Sequence, residues 1–156
     1  MKEAIQTLIT SDKMAHAFEY LKQDEAHTID QQIELVQISS FSPFEEKRAI
    51  RFKELLTEAG LDPVMDEVHN VYAHIHGTGN GPTLYVSAHL DTVFPPETPL
   101  PVKREGTKIY APGIGDDTRG LAEILTLARA IKESGLKPVG DIIIGGNVGE
   151  EGLGDL

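Results

Sequence analysis

The chain has 156 residues, a mass of 17.0 kDa, 40% hydrophobic residues and a formal charge of −11. That suffices for one ordinary domain with a real core, and the acidic balance argues against non-specific nucleic-acid binding, which depends on neutralising phosphates. There is no Cys, which excludes disulfides, thiolate zinc fingers and Cys nucleophiles, so any metal must be held by His, Asp and Glu.

The amino-terminal stretch reads as helix. Ile5, Leu8, Ile9, Phe18 and Leu21 recur at helical spacing, and Ser11 with Asp12 marks a break and a fresh N-cap before MAHAFEYLKQ. Thr28 or Asp30 is expected to cap the next helix, IDQQIELVQIS. SSFSP is turn chemistry. Ser42-Pro43-Phe44-Glu45 then opens a helix that runs through EEKRAIRFKELLTEAG and stops at Gly60.

Beyond Gly60 the period changes from helical to two. VYAHIHG is a strand, TGNGP a short turn, and TLYVSAHL a strand apolar enough to be central and buried; a hairpin between the two strands is the expectation. TVFPPETPLPVKREG is Pro-rich and irregular, and TKIYA is a further short strand. GLAEILTLARAIKESG is a strongly amphipathic helix ending at Gly135, and VGDIIIGGNV a last buried strand before GEEGLGDL. The coarse order α-α-α, β-β-β, loop, β, α, β indicates an α/β sandwich rather than a bundle. No apolar run approaches the ~20 residues of a membrane span. MKEAIQTLITSDKM has acidic and polar breaks where a signal peptide needs an apolar stretch, so a cytoplasmic protein without a membrane partner is expected.

Three features carry chemistry, each at a strand end or a helix start, where open α/β sheets place their sites. In Ala88-His89-Leu90-Asp91 the strand period puts His89 and Asp91 on one side, where a carboxylate can fix the imidazole tautomer while the ring serves a metal. Taken alone, this pair better suits an ordinary strand-end histidine bonded to a nearby carboxylate. In GIGDDTRG, Asp116 and Asp117 are adjacent carboxylates that repel unless a cation or N–H donors compensate. One of them can simply cap the helix. After the last apolar strand, Glu150 and Glu151 sit where a solvated face is not expected, although taken alone the pair suits a polar strand end equally well. One can ligate a metal and the other act as general base. Together these residues form a hard-ligand set suited to zinc, manganese or cobalt. A phosphate site is disfavoured, because Asp116 and Asp117 would repel the anion and no P-loop Lys follows Gly113 and Gly115.

SAHLDTV, then GIGDDTRG at a helix start, then a hydrophobic strand ending in GEEG resembles the di-zinc metallopeptidase family of peptidase T (tripeptide aminopeptidase), glutamate carboxypeptidase, aminoacylase and acetylornithine deacetylase. The wording DTV and GDDTRG is most similar to the peptidase T-like branch. The resemblance runs from about Ile33 onward. It implies a three-layer α/β sandwich with a mixed, largely buried sheet flanked by helices. It also implies two divalent metal ions, most readily zinc, a small peptide substrate, and a homodimer for the full-length protein.

The resemblance assigns roles residue by residue. His89 would ligate one metal, Asp91 orient His89, Asp116 bridge the two metals, Glu150 act as general base, and Glu151 ligate the metal opposite that of His89. Asp117 receives no ligand role, and Arg119 stands where many relatives carry Lys. His16, His27, His69, His74 and His76 are read as surface or packing histidines; the alternating pair His74 and His76 looks like a metal pair, but relatives have no ligands there. The family's chains are more than twice as long, with a smaller lid or dimerisation domain and further ligands beyond the Glu pair. Residues 1–156 are therefore expected to be the N-terminal part of the catalytic domain, inactive by itself. The reaction implied is hydrolysis of peptide bonds in short peptides, with N-acyl amino-acid deacylation or a non-catalytic metal-binding module as alternatives.

Overall fold

A computed structural model describes residues 2–151. Four helices lead: α1 (Lys2–Ile9), α2 (Asp12–Gln23), α3 (Glu25–Val36) and α4 (Glu46–Glu58). The break between the first two falls at Ser11, whose hydroxyl accepts the Met14 N–H as an N-cap. The start of α3 differs from expectation. Thr28 lies inside the helix, and Asp24, which closes α2, also opens α3. The Thr28 hydroxyl turns back to the Asp24 carbonyl at 3.0 Å instead of capping. Helix α4 begins at Glu46, and Gly60 just beyond it takes φ +81°, the left-handed position that glycine fills without a Cβ penalty.

The strands are β1 (Val64–Met65), β2 (Val71–Ile75), β3 (Leu84–His89), β4 (Lys103–Glu105), β5 (Lys108–Tyr110) and β6 (Ile142–Asn147), with α5 (Thr118–Glu133) between β5 and β6. The main sheet has the order β1-β2-β6-β3, and β4-β5 form a separate hairpin. The expected pairing of β2 with β3 does not occur. Strand β6 inserts between them, antiparallel to β2 and parallel to β3. Consequently β6 is the buried central strand, whereas β3 is an edge among the described residues, with Leu84 and Tyr85 about half exposed.

One face of the sheet carries the core. Val71 and Ala73 of β2, Ala88 of β3 and Ile144 of β6 pack with Leu35 of α3, Phe52, Leu55 and Leu56 of α4, and Leu121, Ile124, Leu125 and Ala128 of α5. Burying a Leu or Phe side chain contributes about 1.5–3 kcal/mol, so this cluster supplies most of the cohesion. Gly146 makes it possible: a Cβ there would stand 2.8 Å from the Phe52 ring. By alternation, Tyr72, His74, Tyr85 and Ser87 face the other way. No helix of the described residues is long and apolar enough to cross a membrane.

Candidate metal centre

The site forms where β3 and β6 end and α5 begins. Parallel pairing of β3 with β6 sets His89 beside Asn147, so the residues just after both strands emerge on one edge of the sheet. Asp91 is completely buried there. Its carboxylate accepts the backbone N–H groups of Glu150 at 3.1 Å and Glu151 at 2.7 Å. The turn that presents both glutamates is thus hung on Asp91. The HxD pair and the Glu pair are one construction in space, though some 60 residues separate them in sequence.

His89 is held from both sides. Its Nδ1 donates to the Asp91 carbonyl oxygen at 3.1 Å, with the Asp91 carboxylate at 3.5 Å. Its Nε2 donates to Asp116 Oδ1 at 2.8 Å. Burial pushes the His89 pKa down, but the Asp116 hydrogen bond and the charges of Asp117, Asp91 and Asp116 outweigh it, and the net shift is upward. With Nδ1 committed to the buried Asp91, Nε2 is the nitrogen that could exchange its hydrogen bond to the exposed Asp116 for a metal. Among the described residues, one donor atom each from His89, Asp116 and Glu151 lies within 4.8 Å of the others. Glu150 follows Asp91's clamp directly and is exposed.

Asp117 plays a different part from Asp116. It caps α5 by accepting the Gly120 N–H at 3.1 Å, and its second oxygen accepts the His89 N–H at 3.2 Å. One side chain therefore ties the start of the helix to the end of the strand, while Asp116, bonded to His89 Nε2, stays exposed. Arg119 forms an exposed pair with Glu123 and stands apart from the cluster. His27 faces Asp24, His69 faces Glu46, and His16 is exposed. A cavity of about 270 Å³ opens between Val93, Phe94, Gly113, Gly115, Asp116 and Glu151, giving room beside the donors. A larger cavity of about 710 Å³, lined by Leu21, Val86, Ile124 and Leu127 among others, shares none of the cluster's residues.

Sequence reading missed the support beneath the site. Arg48 and Glu45 of the α4 region are buried. Arg48 donates to the Leu90 carbonyl at 2.8 Å and the Ile38 carbonyl at 2.6 Å. Burial lowers its pKa to about 10, against the raising effect of Asp91. Glu45 accepts the Gly149 N–H at 3.3 Å, and Asn70 Oδ1 accepts the Val148 N–H at 2.9 Å. A signal existed: Arg48 occupies the same apolar stripe as Phe52 and Leu55, where a charge needs a buried partner.

Residues 85–155 match peptidase family M20/M25/M40. The chain is 38% identical over 84 residues to carboxypeptidase G2 of a Pseudomonas species, spanning 53% of this chain and 20% of that protein. Its fold is similar to a tripeptidase of Staphylococcus aureus, with a TM-score of 0.67 and 32% identity over 81% of this chain and 37% of the other. It is likewise similar to the aminopeptidase PepT of Bacillus cereus, with a TM-score of 0.67 and 27% identity over 80% and 36% of the two chains. The chain thus spans far less than two thirds of the proteins it matches. The mixed α/β sheet with flanking helices agrees with the architecture expected from sequence.

Proposed function

The chain is a relative of the peptidases of family M20/M25/M40, and from that premise we propose that it forms the N-terminal part of a metallopeptidase catalytic domain. The parent protein hydrolyses peptide bonds in short peptides, as an exopeptidase of aminopeptidase type. The observation that carries this reading is the convergence of one donor atom each from His89, Asp116 and Glu151 to within 4.8 Å of one another. The donor set fits the group it would hold: an imidazole and two carboxylates suit zinc, with cobalt or manganese as substitutes. Two divalent ions bound there supply Lewis acidity toward the carbonyl oxygen and an activated water.

The chain's own residues do the rest. Nδ1 of His89 is anchored to Asp91, so the ring would offer Nε2 to one ion. Asp116, exposed and bonded to His89, would be placed to hold both ions, and Glu151 would hold the second. Asp91 holds Glu150 by its backbone, leaving the Glu150 carboxylate to take a proton from the attacking water and deliver it to the leaving amine. The aminopeptidase assignment is supported by the similarity to the tripeptidase and the aminopeptidase. These residues leave each ion with two protein ligands, where a catalytic site normally has three. Residues 1–156 alone are therefore expected to turn over little or no peptide.

Calorimetric zinc titration of this chain tests the reading, beside the His89→Ala and Glu151→Ala variants and a tripeptide-cleavage assay. Binding weakened at least tenfold in both variants supports it. Binding at this site unchanged by either substitution overturns it, and robust metal-dependent cleavage by the chain alone overturns the expected inactivity.

A further inference from the structure

A second donor cluster lies at the other end of β6. His74 and His76 are two residues apart on and just after β2, so both rings project from the sheet face that the core does not use. The antiparallel register pairs His74 with Ile143 and Ile75 with Ile142, which sets His76 across from Asp141. Sequence alone offers only the His pair. The tertiary structure supplies a third donor of a different kind.

The geometry suits an ion better than a hydrogen-bonded pair. The two imidazole centroids are 5.8 Å apart, and one nitrogen of each ring lies within 4.8 Å of the other and of an Asp141 carboxylate oxygen. His76 Nδ1 stands 4.0 Å from Asp141 Oδ2. That is too long for a hydrogen bond. Two ligands on a tetrahedral ion with bonds of about 2.1 Å sit about 3.4 Å apart, so a small side-chain rotation brings both onto one ion. Asp141 is already oriented for this: its Oδ1 accepts the Gly77 N–H at 2.8 Å, which leaves Oδ2 turned to the imidazoles. Both rings are exposed, so an ion can enter without opening the fold.

We propose that His74, His76 and Asp141 form a second divalent-metal site, separate from the His89 centre. Two imidazoles and one carboxylate select zinc, copper(II), nickel or cobalt over magnesium and calcium, which prefer oxygen-only sets. The site lies at the start of β6 and the His89 centre beyond its end. Six residues of extended chain separate them by on the order of 20 Å, so the two sites fill independently. This inference goes beyond the peptidase reading and does not depend on it.

The test is zinc titration by calorimetry on the 156-residue chain carrying both His89→Ala and Glu151→Ala, which removes the first centre. One equivalent should remain. His74→Ala with His76→Ala should weaken it at least tenfold, as should Asp141→Asn, while His16→Ala leaves it unchanged. Proton NMR of the imidazoles should show the His74 and His76 resonances shifting with zinc and not with magnesium. Absence of the residual equivalent, or its persistence after His74 and His76 are removed, overturns the proposal. In the wild-type chain, loss of binding through His89 alone or through His74 and His76 alone tells failure of one site from failure of the other.

Discussion

Helix α5 meets carboxylates at both of its ends, and the two encounters are built on opposite principles. Near its carboxyl end, Asp24 is buried and saturated. It accepts from Arg129 Nε at 2.9 Å and Thr126 Oγ1 at 2.7 Å, while Gln31 accepts from Arg129 Nη1 at 2.7 Å. The surrounding donors outweigh the burial that would raise the Asp24 pKa, and the net shift is downward. At the amino end, the His89 imidazole is bonded to Asp116, and a Glu151 carboxylate oxygen lies within 4.8 Å of both. Asp116 is largely exposed there. The first cluster is closed, because each charge has its opposite in place. The second is open, because carboxylates outnumber the groups that compensate them. A saturated buried pair locks helices together; an unsaturated donor set is left with valence for a ligand.

The largest expected effect breaks the closed cluster. Asp24→Ala leaves the Arg129 guanidinium buried without its partner, and removing one member of a buried pair costs about 3–5 kcal/mol. Asp116→Ala removes an exposed acid from a repulsive set, and metal-free stability should stay within about 0.5 kcal/mol of wild type, while zinc affinity falls. Urea unfolding of the two variants measures the contrast. Equal losses in both would erase the distinction between the clusters.

Asp91→Ala should fall next in size. It frees the N–H groups of Glu150 and Glu151 and removes the charge facing Arg48. Losing such charge-assisted bonds costs about 1.5–3 kcal/mol. Zinc binding should weaken too, although the residue serves the ion only through the groups it holds. Wild-type zinc affinity in a folded Asp91→Ala chain would refute its part in presenting the glutamates.

The smallest effect is the sharpest discriminator. The folded pKa of Asp24 lies below its unfolded value near 3.9. Its stabilisation is therefore complete above about pH 4 and is lost as pH falls through the folded pKa. The folded pKa of His89 lies above its unfolded value near 6.5. Its contribution in the metal-free chain is complete below that value and is lost as pH rises through the folded pKa. Urea midpoints followed across pH should lose the Asp24 contribution on the acid side in an Asp24→Asn comparison. They should lose the His89 contribution on the neutral-to-alkaline side in a His89→Gln comparison.

The helices were legible because their signals are local. Ser11, Gly60 and Gly135 punctuate the chain where caps and left-handed turns act within a few residues. The start of α3 was misplaced because Asp24 serves two helices at once, and its side chain is taken by Arg129 from far along the chain. The expected β2–β3 hairpin failed for a similar reason. TGNGP is turn chemistry, but β6 offers both strands a better partner, since Gly145 and Gly146 let Tyr85 and Phe52 close over it. An apolar run such as TLYVSAHL reads alike whether its strand lies at the centre or at the edge.

The sequence by itself determined which residues could do chemistry. His89 ends a strand, and Asp91, Asp116, Glu150 and Glu151 each follow a strand or precede a helix, a placement written in local periodicity. Only the tertiary structure decided how they act together. It hung the Glu turn on Asp91, divided Asp116 from Asp117 by giving the latter to the helix cap, set Arg48 and Glu45 beneath, and brought Asp141 to His74 and His76. The physical reason is range. Capping and periodicity act over one or two turns, whereas strand partners and buried charges are matched across the whole chain, by a register no local pattern encodes.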